Sequence, residues 1–219
     1  MSVSIDDFIK NIYLLADAPG SKASGSSLAK RMNISKAAVT DMLKKLSDKG
    51  LVNYEKYNIP ILTPTGNKMA LQIVRRHRIW ETFLHEVIKM PWQHVHHEAE
   101  QLEHQTSEYL LEHMEKILDY PEFDPHGDPI PDKTGNLPAM KDQVLFCDIR
   151  KSGTYRITRI SDHSEKLVTL FRQNKISPGD IISVQTTKGN LPNRFSSGKN
   201  EICLEDELTK EIYVTPINI

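Results

Sequence analysis

Residues 33–52 read NISKAAVTDMLKKLSDKGLV, and this stretch decides the fold of the first part of the chain. Ser35 has the place of a helix N-cap, since a hydroxyl there accepts from the open amides of the first turn, and Gly50 supplies the stop. Upstream, Gly25 to Met32 reads as a shorter helix, joined to the first across the tight turn Asn33-Ile34. Downstream, Leu51 to Glu55 and Ile59 to Thr63 read as two short strands around Lys56-Tyr57-Asn58, a hairpin. At the N-terminus Ser4-Ile5-Asp6-Asp7 has capping-box spacing. Ile5, Ile9, Ile12 and Tyr13 then recur at helical spacing to about Ala16, and Pro19-Gly20 ends that helix. Helix, helix-turn-helix and hairpin, in that order, predict a winged helix-turn-helix over residues 1–63.

Thr63-Pro64 opens a further helix, because proline suits a first turn whose amides have no partner. The amphipathic run reaches about Met90, and a second one covers Gln93 to Leu118. Two long helices invite an antiparallel pair or a dimer seam. Residues 120–137 are rich in Pro, Gly and Asp and read as a linker, so a helical dimerisation and metal domain is expected over 64–138. Beyond it β-type alternation appears at 155–161, 181–187, 202–205 and 212–216, with one helix near 164–173. This predicts a small β barrel over 139–219, and for the whole chain a mainly α fold with a small β domain.

Of 219 residues, two are cysteine, Cys147 and Cys203, without CxxC spacing. That excludes a disulfide scaffold and a thiolate zinc site and fits a reducing cytoplasm. No leader-like N-terminus and no apolar run of membrane-spanning length appears, so a soluble protein with no membrane role is expected. The net charge of -1 conceals two opposed blocks. From Lys22 to Arg78, 12 Lys and Arg stand against three acidic residues, a net of +9 that implies a polyanionic partner. From Ile79 to Pro138, 13 Asp and Glu stand against three Lys, a net of -10, and seven of the nine His fall there, so that segment attracts cations.

Within it, His96, Glu100, Glu103 and His104 follow i, i+4, i+7, i+8 spacing, one helical face with two imidazoles and two carboxylates. Crowding such groups is costly without a cation, and this donor mix suits manganese, iron or zinc. His77 and Glu81 repeat the pattern at i, i+4. An inverted zinc-protease motif fails because Glu100 stands where its first histidine belongs, and two Glu-x-x-His pairs for a di-iron bundle are absent from 64–118. No phosphate loop or nucleophile elbow appears either, so the chain is not expected to be an enzyme. The two competing classes are a metalloenzyme built on 96–104 and a metal buffer or adaptor. On the 35–49 helix, Ser35, Lys36, Ala37, Ala38, Thr40, Asp41 and Lys44 are expected to face a major groove, with Lys36, Lys44 and Lys56 neutralising phosphate.

Together these residues resemble the diphtheria-toxin-repressor family of metalloregulators, which includes the manganese transport regulators. The resemblance rests on Asp7 with Tyr13, Val39-Thr40 before Lys45, Gly50-Leu51-Val52, Leu62-Thr63-Pro64-Thr65-Gly66 and Arg76-His77-Arg78. It rests further on Glu100-x-x-Glu103-His104 and on Pro125-His126-Gly127-x-Pro129-Ile130-Pro131, and so covers essentially the whole chain. It implies a repressor of metal-uptake genes that binds a double-stranded operator, an inverted repeat, as a homodimer. It implies a primary metal site of Asp7, Glu100, Glu103 and His104, and a second site drawing on His77, Glu81, His96 and Asp124 or His126. The C-terminal part resembles the SH3-like domain of the longer members, with Asp162, His163 or Glu165 as candidate ligands. Iron-responsive members place sulfur donors where this chain has Asp7 and Glu100, so the favoured effector is Mn2+, with Fe2+ or Zn2+ as alternatives. Manganese regulators with a binuclear site carry Glu where this chain has Lys10.

Overall fold

The computed structural model describes residues 4–18, 21–56, 58–140, 142–161, 164–186, 193–198 and 200–217. Two units emerge from its contacts, Met1–Arg76 with Pro131–Asn136, and His77–Ile130 with Leu137–Ile219, so the expected helical segment 64–138 is shared between them.

The first unit contains helices α1 (Ile5–Asp17), α2 (Gly25–Arg31) and α3 (Lys36–Asp48). Each starts at a serine. Ser4 Oγ accepts from Asp7 N at 3.0 Å, Ser24 Oγ from Ser27 N at 3.1 Å and Ser35 Oγ from Ala38 N at 3.1 Å. The first is a full capping box, since Ser4 N also donates to Asp7 Oδ2 at 3.3 Å. Phe8, Ile9, Ile12, Leu28, Val39, Leu43, Leu46 and Val52 are buried together. Each such side chain contributes about 1.5–3 kcal/mol through the water it leaves. Strands β1 (Val52–Asn53) and β2 (Ile61–Leu62) pair antiparallel as the wing, shorter than the alternation predicts. Helix α4 (Pro64–Glu86) follows, with Thr63 Oγ1 accepting from Gly66 N at 3.1 Å. Gly66 admits no side chain, because a Cβ there would lie 2.0 Å from Leu51 O.

In the second unit, the single helix expected over 93–118 is broken. Helix α5 (Trp92–Leu102) runs into one 3-10 turn, Glu103–Gln105, and α6 (Glu108–Ile117) starts afresh. Thr106 and Ser107 cause the break. Thr106 adopts extended backbone, its hydroxyl donates to Leu102 O at 2.7 Å, and it accepts from Trp80 Nε1 at 2.6 Å. Ser107 then caps α6 by accepting from Leu110 N at 3.2 Å. Ile79, Leu111, Met114 and Ile130 close a small core over these elements.

Residues 122–130, expected as linker, form a tight loop. Asp124 Oδ1 accepts from His126 N and Asp128 N, both at 2.9 Å. Arg78, from α4, donates to Pro129 O at 2.5 Å and to Asp128 Oδ1 at 3.3 Å, and its Nε lies 3.7 Å from Asp124 Oδ2. The loop is also stitched to strand β4 (Gly153–Ile160): Ile160 N donates to His126 O at 3.0 Å and Arg159 Nε pairs with Asp128 Oδ1 at 2.8 Å. Gly127 has φ +87°, and a Cβ there would lie 2.0 Å from Thr158 O.

The β part adds β3 (Val144–Leu145), α7 (Glu165–Asn174), β5 (Ile181–Val184), β6 (Arg194–Ser197), β7 (Asn200–Cys203) and β8 (Ile212–Pro216). The six strands form one antiparallel sheet in the order β3-β8-β4-β5-β6-β7. Phe146, just after β3, meets Phe195 of β6 edge to face at 5.7 Å, and Phe171 of α7 packs on the same ring. Strands remote in the sheet order therefore share one core, which requires the sheet to curl around it. Asp162 and His163, and the side chain of Glu165, lie outside the described residues. Among those described, no helix is long and apolar enough to cross a membrane.

Candidate metal centre

His77 is the hub of the acidic segment. It stands in α4 and is buried, as are its neighbours Glu81 and Glu103. Its Nδ1 lies 2.6 Å from Glu103 Oε2, and its Nε2 lies 3.0 Å from Glu81 Oε1 and 3.1 Å from His96 Nδ1. His96 Nδ1 in turn lies 3.1 Å from Glu81 Oε1, which closes a triangle of donor atoms. Glu100 approaches from α5, its Oε1 3.9 Å from His77 Nδ1 and 3.8 Å from His96 Nε2. Glu103 is fully buried against His77, and its Oε1 stays 3.3 Å from His104 Nε2.

Glu81 has a second neighbour. Its Oε2 is buried without a hydrogen-bond partner among the described residues and lies 3.7 Å from His126 Nδ1. Asp124 joins this side, so that Glu81, Asp124 and His126 form a wholly buried group with metal-ligand spacing. Burial alone disfavours the Glu81 carboxylate, but the imidazoles of His77 and His126 outweigh it and hold the carboxyl well below its ordinary range. Asp124 goes the other way: burial, reinforced by the carboxylates of Asp128 and Glu81, raises it well above the usual value. Two neighbouring buried carboxylates pushed in opposite directions, with one oxygen lacking a hydrogen-bond partner among the described residues, fit a cation with nitrogen and oxygen ligands. The free thiols, half-buried Cys147 and exposed Cys203, belong to none of the metal-spaced groups among the described residues.

Asp7 lies in the first unit, in the first turn of α1, where one of its oxygens serves the cap. Of the residues expected to meet DNA, Ser35, Lys36, Ala37, Ala38, Asp41, Lys44 and Lys56 are exposed. Thr40 is half-buried and its hydroxyl donates to Lys36 O at 3.0 Å, which leaves that oxygen only its acceptor side for a base. His94, His97 and His113 are exposed and His85 half-buried, in keeping with surface roles. Sequence reading missed the supports of the His126 loop, Asp128 and Arg159. They lie about 30 residues apart and carry no shared local pattern.

The comparisons agree with this architecture. Residues 1–58 match the family profile described as the iron dependent repressor N-terminal DNA binding domain, and residues 63–132 the one described as its metal binding and dimerisation domain. The iron-dependent repressor IdeR of Mycobacterium bovis is 25% identical over 221 residues, 96% of each chain. The HTH-type transcriptional regulator MntR of Listeria welshimeri is 32% identical over 138 residues, 63% of this chain and 92% of that one. A solved structure described as a manganese-dependent transcriptional repressor in complex with manganese superposes with a TM-score of 0.88 at 30% identity, covering 98% of this chain and all of the other. With its DNA-binding and dimerisation domains and a C-terminal antiparallel β domain, the chain belongs to the iron-dependent, or diphtheria-toxin, repressor family of metal-dependent transcriptional repressors, which are not enzymes.

Proposed function

We propose that the protein is a manganese-responsive repressor of metal-uptake genes. The observation that carries this reading is the donor set: Asp7, Glu100, Glu103 and His104 for a primary site, and His77, Glu81, His96, Asp124 and His126 for a second, oxygen and nitrogen throughout. Hard carboxylates favour manganese over softer ions. The two-histidine, one-carboxylate triangle of His77, His96 and Glu81 also suits Fe2+, which keeps an iron-responsive repressor as the second reading.

Three carboxylates of the primary set come from two parts of the chain, Asp7 from α1 and Glu100 and Glu103 from α5 and the turn after it. Their mutual repulsion opposes a fixed placement of the DNA-binding helices. A bound cation supplies the positive charge that removes that repulsion. The exposed face of α3 enters the major groove through Ser35, Lys36, Ala37, Ala38, Thr40, Asp41 and Lys44, and Lys56 of the wing meets phosphate. Exposed Val87 and Ile88 after α4, and Tyr109, Leu110 and Ile117 on α6, support a two-fold dimer through residues 64–118, whose operator is then an inverted repeat.

Selection of duplexes from a random DNA pool, run with Mn2+, Fe2+, Zn2+ or chelator, tests the proposal. An inverted repeat enriched best with Mn2+ is the expected result. Enrichment in chelator would sink the switch, and enrichment with Fe2+ or Zn2+ alone would reassign the metal.

A further inference from the structure

Resting on the reading of Glu103 and His104 as metal ligands, we propose that Trp80 and Thr106 are positioning residues of the primary site. The bond from the Trp80 indole to the Thr106 hydroxyl clamps the turn that carries both ligands, so that metal meets a preformed edge rather than a fraying helix end.

The need for a clamp follows from where the ligands stand. Glu103 and His104 lie at the end of α5, in the single 3-10 turn Glu103–Gln105, before Thr106 leaves the helix in extended backbone. Carbonyls of a last turn lack partners within the helix, and 3-10 hydrogen bonds are poorly aligned, so such turns fray. A ligand on a frayed turn must be ordered when metal binds, and that loss of freedom lowers affinity.

Thr106 ties down the far end of the turn. Its hydroxyl donates to Leu102 O at 2.7 Å, closing the turn from within, and accepts from Trp80 Nε1 at 2.6 Å, joining it to α4. A hydroxyl has one proton and an indole N–H only donates, so the directions of both bonds are fixed. At the near end, Glu103 Oε2 lies 2.6 Å from His77 Nδ1. His77 and Trp80 stand three residues apart on α4 and share a face, and Glu103 and Thr106 stand three apart across the turn. His104 therefore sits between two ties to successive positions of one helix. The indole is itself held: it packs against the core of Ile79, Leu111, Met114 and Ile130 and meets the Phe83 ring edge to face at 5.9 Å.

Mn2+ titrations of the full chain, read by the electron paramagnetic resonance signal of the free ion, test the clamp. His104→Gln identifies the primary site as the binding phase that it removes. Thr106→Val keeps the size and loses the hydroxyl, Trp80→Phe keeps a ring and loses the N–H, and Thr106→Ser keeps the hydroxyl. Thr106→Val and Trp80→Phe are expected to weaken the His104-dependent phase about 10–100-fold, the loss that follows removal of a bond supporting a ligand, while Thr106→Ser binds like the parent. Adding Trp80→Phe to Thr106→Val should weaken it no further, because both cut the same tie. Leu111→Val trims the same core away from the clamp, and should lower the melting temperature of the metal-free chain without moving the titration. Thr106→Val titrating like the parent, Thr106→Ser as weak as Thr106→Val, or an equal loss in Leu111→Val would each overturn the clamp. His104→Gln titrating like the parent would overturn the ligand reading itself, and the clamp with it.

Discussion

Nδ1 of His77 and Oε2 of Glu103 lie 2.6 Å apart inside the second unit, and this contact decides which edge of the imidazole is left for a metal. With a metal bound, a carboxylate at Nδ1 would keep the proton there and leave the Nε2 lone pair, which faces Glu81 and His96, for the ion. Glu103 thus belongs to one proposed site as a ligand and to the other as the group that orients its histidine.

Glu103→Gln is therefore expected to weaken both sites, whereas His104→Gln weakens only the primary one. Loss of an orienting carboxylate lowers metal affinity about 10–100-fold. Manganese titrations of the two variants separate these roles. Equal profiles would show that His77 is positioned without Glu103.

Asp7→Ala removes half of a capping box and, on our proposal, a primary ligand. The cap is worth ~0.5–2 kcal/mol, which a thermal melt detects. Loss of the ligand removes most of the metal response of DNA binding, roughly 5–150-fold for a coupling of ~1–3 kcal/mol. The salt-sensitive nonspecific binding of the basic segment should persist. Full activation by manganese in this variant would leave Asp7 as a cap alone.

Glu100→Cys places a thiolate where a hard oxygen stands at the half-exposed rim of the site. The ranking of metals that activate DNA binding should move toward zinc and iron and away from manganese. An unchanged ranking across a metal panel would remove Glu100 from the ligand set.

Protons should leave when manganese enters the Glu81 and Asp124 group. Asp124 has its folded pKa raised, so the metal-free fold retains its proton above the ordinary carboxylate range, and ligation must expel it. Affinity there then rises with pH until Asp124 ionises unaided. Glu81 is lowered instead, so its stabilisation of the fold is present at neutral pH and lost only as pH falls through its depressed value. Calorimetric titration in buffers of different ionisation enthalpy reads the released proton, and a buffer-independent heat would exclude Asp124 as a protonated ligand.

Much of the site was legible because its residues repeat along α4 and α5 at helical spacing: His77 with Glu81, and His96 with Glu100. Serine caps marked the starts of α1 and α3 in the same local way. The break at Thr106-Ser107 was equally local and was read through, since the apolar period continues across it. Strands β3 and β6, two and four residues long, are too short to show alternation. The roles of Asp128 and Arg159 have no local signature at all, because the bond between them is made by tertiary contact.

The missing side chain at Gly127 gives the β domain a chemical duty if His126 is a ligand, as we propose. With the loop pressed against Thr158 O and the His126 carbonyl held by Ile160 N, the imidazole is registered by a strand that begins at Gly153. On the proposed ligand set, cutting the chain after residue 138 would thus be a ligand mutation in disguise: His126 would remain in the polypeptide, but without the template that aims it. Relatives that lack such a domain would have to orient an imidazole here by other means or do without this ligand, so metal stoichiometry and domain length should vary together among them.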